Sequence, residues 1–110
     1  MKVNIINKIE CSYENLNKRL PSRYAELVSK YFYGKTVNFV CFPADKVTIT
    51  SGELLKAQKK IVDDTLLTLY FARNFTIESL KRIDENNGRA FYLCDFDWTD
   101  EDFIRITQLK

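Results

Sequence analysis

The 110-residue sequence contains no histidine, only two prolines and three glycines, and three widely separated cysteines. Without imidazole the chain cannot build a Ser-His or Cys-His nucleophile pair, a histidine acid/base, or a metal site that needs a histidine ligand. Most hydrolase arrangements are thereby excluded. Scarce proline and glycine argue against linkers, collagen-like repeats and long disordered tracts. Cys11, Cys41 and Cys94 form no CxxC pair, so neither a zinc knuckle nor a thioredoxin-like couple is available. They read as reduced, small buried residues of a protein in a reducing compartment, and a cytoplasmic location is expected. No apolar run approaches the length of a membrane span, so no membrane partner is expected.

What is present describes one ordinary globular domain over residues 1–110. Hydrophobic residues make up 45%, aromatic residues 14% and charged residues 29%, enough to bury a core without disulfide or metal staples. The net charge of +2 is unevenly distributed: residues 1–60 carry 11 basic and 5 acidic groups, residues 61–110 carry 6 and 10. The two halves are of opposite sign.

Hydrophobic periodicity gives the element order. Val3, Ile5, Ile9 and Cys11 suggest a first strand, although Ile6 breaks the alternation. Tyr24, Leu27, Val28, Tyr31 and Phe32 recur at helical spacing between Pro21 and Gly34. Thr36 to Cys41 alternates as a strand. A turn at Phe42-Pro43-Ala44-Asp45, with proline second, is expected to return Lys46 to Ile49 as an antiparallel partner. Thr50 and Glu53 fit a capping box, with Ile49 and Leu54 placed as a hydrophobic staple, so a helix starts there. Thr65 to Phe71 is a strand buried on both faces, Thr76 caps a helix that stops at Asn87-Gly88, and Ala90 to Trp98 forms the last strand. Thr99 opens a terminal helix. Leu66 to Phe71 and Ala90 to Phe96 should be adjacent parallel strands joined by the helix between them. The expected fold is α/β, a mixed sheet of about four to five strands with helices on both faces.

Three stretches resemble the common core of the restriction-endonuclease-like, or PD-(D/E)XK, nucleases over about residues 22–98. Tyr24-Ala25-Glu26-Leu27-Val28, ending at Gly34, is similar to that family's opening helix. Asp45-Lys46-Val47-Thr48-Ile49 is similar to the strand that begins with its metal-binding aspartate. Ala72-Arg73-Asn74-Phe75-Thr76 through Leu80 is similar to its later strand-to-helix connection. The resemblance implies a catalytic Asp45 with Glu26 or Glu53 holding Mg²⁺, and Lys56 positioning water. The family's Glu-x-Lys does not follow Asp45 here. Glu53 is also explained as a capping-box residue, and Lys56 as a solvated helix side chain.

Two charged clusters complete the inventory. Lys56, Lys59 and Lys60, with Lys81 and Arg82 as neighbours on the next helix, form a basic face able to neutralise phosphates. Asp95, Asp97, Asp100, Glu101 and Asp102 form an acidic run suited to a partner surface, without the spacing of a calcium loop. The sequence therefore leads to a non-catalytic α/β domain that binds a macromolecular partner, protein or nucleic acid, with no cofactor. The alternative is a divergent nuclease using Mg²⁺. The oligomeric state is left open.

Overall fold

A computed structural model describes residues 3–43 and 45–93. The elements run β1 (Asn4–Glu10), α1 (Tyr13–Asn17), α2 (Ser22–Phe32), β2 (Thr36–Cys41), α3 (Ser51–Gln58), β3 (Thr68–Ala72), α4 (Ile77–Glu85) and β4 (Gly88–Tyr92). They form an α/β fold around a four-stranded mixed sheet in the order β1-β2-β3-β4. β1 is antiparallel to β2, while β2, β3 and β4 are mutually parallel.

Alternation along the strands divides the core into two apolar layers. Val37, Phe39, Leu69, Phe71 and Phe91 face α1 and α2, meeting Leu16, Leu20, Leu27 and Val28. Phe71 sits between Phe91, stacked at 4.9 Å between ring centroids, and Phe39 at 5.1 Å. Val40, Tyr70, Ala72 and Ala90 face the other way, onto Leu54 and Ala57 of α3 and Ile83 of α4. Helices therefore cover both faces. Every residue of β3 is buried, as expected of a strand sandwiched between two helical layers. The parallel pairing of β3 with β4 across α4 is also as expected, with β3 starting at Thr68 and β4 at Gly88.

The helix starts follow their sequence signals. The Thr50 hydroxyl accepts a hydrogen bond from Glu53 N at 3.3 Å, and Glu53 Oε1 accepts one from Thr50 N at 3.4 Å, completing the capping box. Thr76 accepts from Ser79 N at 3.2 Å. Pro21 stands just outside α2, where its missing N–H costs nothing. The five-residue α1, capped by Ser12, is an element that the periodicity does not reveal.

Three differences from the sequence-based reading have physical causes. β1 is real but not regular: Ile6 pairs with Phe39 and Ile9 with Val37, so Asn7 and Lys8 together oppose Asn38. This bulge, with Lys8 at φ 58°, resets the alternation. Val3 and Ile5 consequently join the α3/α4 layer, whereas Ile6, Ile9 and Cys11 join the α1/α2 layer. Lys46 to Ile49 forms no antiparallel strand. Ile49 instead makes a parallel bridge to Phe75, accepting from Thr76 N at 3.1 Å and donating to Asn74 O at 2.9 Å. Finally, Lys46 N donates to Pro43 O at 3.0 Å, which makes proline the first residue of the turn. The expected terminal strand residues and helix, Cys94 to Trp98 and Thr99 onward, lie outside the described residues.

Candidate functional site: a basic groove

Because β1 runs antiparallel to β2, its beginning lies beside the end of β2, where Asn4 pairs with Cys41. Phe42 and Pro43 continue from that end, and α3 packs over them. The three segments enclose a groove of about 320 Å³ at the carboxyl end of a parallel strand, the usual place for ligands in α/β sheets. Its apolar wall is Val3, Ile5, Phe42, Pro43 and Ala57, and its polar wall is Lys46, Glu53, Lys56 and Lys60. Three ammonium groups therefore face one carboxylate.

Lys46 and Glu53 form an ion pair of 2.8 Å. This hydrogen bond, followed by the Coulomb attraction of Glu53, raises the Lys46 pKa. The Glu53 pKa is lowered, first by the bond from Lys46 and then by those from Thr50. Glu53 is thus ionised and neutralises Lys46. Lys56 and Lys60 have no ion-pair partner within 4.0 Å among the described residues. Lys56 lies in the last turn of α3, and Lys60 in the turn that follows the C-cap Lys59; both side chains line the groove. Lys59 is exposed but faces outside the groove.

The candidate catalytic set is not brought together. Glu26 projects from α2 in the layer across the sheet, exposed and 3.5 Å from Arg23. Asp45 is exposed in the loop after β2, near enough to Lys46 to contribute to its raised pKa, but it is not part of the groove wall. Glu53 and Lys56 do share the groove. Among the described residues, no three His, Cys, Asp or Glu side chains gather as a metal site. Lys81 and Arg82 lie on α4 and do not line the groove. The acidic run Asp95, Asp97, Asp100, Glu101 and Asp102 lies outside the described residues.

Sequence reasoning finds two of the three groove lysines and misses Lys46, which it reads as the start of a strand. It also misses the apolar wall. By pattern Val3 is a strand residue and Phe42 a turn residue; the antiparallel placement of β1 brings Val3 to the groove, and Phe42, just past the end of β2, packs with Leu54 and Ala57 of α3. No helix among the described residues is long and apolar enough to cross a membrane. Comparison with family models, curated proteins and solved structures finds no match to this chain.

Proposed function

We propose that this domain is a non-catalytic binding module for an anionic macromolecule, with nucleic acid as the partner. The observation that carries this reading is the groove, in which Lys56 and Lys60 have no ion-pair partner among the described residues while Glu53, the groove's carboxylate, is paired with Lys46. Lysines act on a phosphate backbone through charge, need no metal, and give an affinity that falls steeply with salt. Lys59, the exposed C-cap of α3, extends the positive surface beyond the groove. The reduced thiols of Cys11 and Cys41 favour a cytoplasmic setting.

The rival reading, a restriction-endonuclease-like nuclease dependent on Mg²⁺, has less support. Hydrolysis of a phosphodiester needs carboxylates within one metal's coordination sphere. Glu26 lies across the sheet, and Glu53 is held by Lys46 and Thr50. Fluorescence anisotropy with single-stranded DNA and RNA tests the proposal. Binding should weaken as salt rises, and changing Lys56, Lys59 and Lys60 together to glutamine should lower the log–log salt slope by about 2. Absence of salt-sensitive binding would redirect attention to a protein partner. Cleavage with Mg²⁺ or Mn²⁺ that is abolished by Asp45→Ala would establish the nuclease instead.

A further inference from the structure

The geometry points to a narrower role for the groove, resting on the nucleic-acid reading above: it receives the terminal nucleotide of a single strand and recognises its phosphate monoester. A volume of about 320 Å³ stands at the lower end of small-ligand sites, which span roughly 300–1,000 Å³, and suits one nucleotide. A duplex is far too wide for it. The two walls differ in chemistry as the two ends of a nucleotide do. Ile5 and Pro43 offer an apolar surface to a base, while Lys56 and Lys60 offer ammonium groups to a phosphate, Lys46 being paired with Glu53.

Charge distinguishes a strand end from its interior. Three lysines against Glu53 leave the groove with two net positive charges. An internal phosphodiester carries one negative charge, whereas a terminal monoester carries about 1.5 to 2 near neutrality. The monoester matches the groove. Lys59, the C-cap of α3, is exposed outside the groove between Lys56 and Lys60 in the chain, so it is available to the next phosphate of a strand, a contact that a free nucleotide lacks.

The test uses the full 110-residue chain and one oligodeoxynucleotide made in three forms, with a 5′-phosphate, a 3′-phosphate or hydroxyls at both ends. Anisotropy titration should show one phosphorylated form binding at least tenfold more tightly than the hydroxyl form. Lys56→Gln with Lys60→Gln should remove that difference, while Lys59→Gln should weaken all three forms alike. These side chains are on the surface, and an unchanged urea midpoint would verify that the variants fold. Equal affinity for all three forms would overturn the end-recognition inference and leave nucleic-acid binding standing. No binding by any form at low salt would overturn both. A nucleoside monophosphate that binds as tightly as the phosphorylated strand would also overturn the inference, in favour of a free-nucleotide site.

Discussion

The Lys46 ammonium and the Glu53 carboxylate meet at 2.8 Å inside the groove, and the same carboxylate closes the capping box of α3 through Thr50. Glu53 thus has a structural and an electrostatic role. Glu53→Gln retains the capping box in its Glu/Gln form while removing the negative charge. Affinity for a phosphate-bearing ligand should rise several-fold at low salt, and the gain should shrink as salt screens the groove. Unchanged affinity would show that the ligand does not enter this groove.

The same pair sets a pH dependence. Glu53 has a lowered folded pKa, so its contribution to stability is complete above the ordinary glutamate pKa and is lost as pH falls through the lowered value. For Lys46 the folded pKa is raised, so its contribution is complete below the ordinary lysine pKa and is lost as pH rises through the raised value. Urea midpoints measured against pH should fall less steeply on the acid side for Glu53→Gln than for the parent. Both residues are exposed enough that high salt should reduce the difference.

Helix capping can be tested in the same way. Thr50→Ala and Thr76→Ala each remove a side-chain acceptor for an otherwise unpaired helical N–H, at Glu53 and Ser79 respectively. Each should cost about 1 kcal/mol in chemical denaturation. The Thr76 site has more at stake, because the Ser79 hydroxyl also donates to the Ile49 carbonyl at 3.1 Å and so ties α4 to the loop before α3.

These caps were legible in the sequence because capping is local: residues three apart determine it. The buried β3 was legible for a similar reason, since an apolar run needs no partner to declare itself. β1 was less so. Its side chains change face at Asn7 and Lys8, and a period-two reading has no means of locating a bulge that depends on pairing with Asn38. The strand expected at Lys46 to Ile49 failed through competition, because Ile49 gains backbone partners at Asn74 and Thr76 that lie some 25 residues away. The groove was half legible for the same reason. Lys56 and Lys60 are near neighbours along the chain, at the end of α3 and in the turn after it, whereas Val3, Phe42 and Lys46 reach them only through the tertiary fold. Glu26 was grouped with Glu53 on family pattern alone, and the sheet separates them.

Gly88 shows how tightly α4 is set against β4. A Cβ there would lie 2.8 Å from both Ile83 Cγ2 and Tyr70 Cε2 and 2.9 Å from the Ile83 carbonyl oxygen. The side chains can shift, but the carbonyl belongs to the helix backbone. Gly88→Ala should therefore destabilise the fold by about 1–3 kcal/mol, read from the urea midpoint at an unchanged slope. A neutral result would mean that α4 moves freely relative to β4.

Burial also governs the thiols. Desolvation pushes Cys11 and Cys41 up to about 11, which lowers their thiolate fraction near neutral pH by roughly a hundredfold relative to an ordinary cysteine. In a Cys94→Ser background, alkylation at pH 7.5 should be slow for the native protein and fast in denaturing urea. Fast native labelling would show that either site opens readily.

Asn38 joins three parts of the fold that the groove depends on. Its side chain is fully buried, donates to the Asp63 carbonyl at 2.8 Å and the Thr68 hydroxyl at 3.2 Å, and accepts from Lys8 N at 3.3 Å. The bulge it supports contains Asn7, which donates to the Lys60 carbonyl at 3.2 Å and accepts from Val62 N at 2.9 Å. Lys60 is thereby tied to β1 rather than left at a fraying helix end. Asn38→Ala leaves Asp63 O and Lys8 N without that partner and should cost about 1–3 kcal/mol. Asn7→Ala, at a more exposed position, should cost less in global stability. Its effect should appear locally, as faster amide exchange at Val62 and weaker binding of a phosphorylated strand. If Asn7→Ala speeds exchange at Val62 yet leaves that affinity unchanged, then the ligand does not depend on where Lys60 is held.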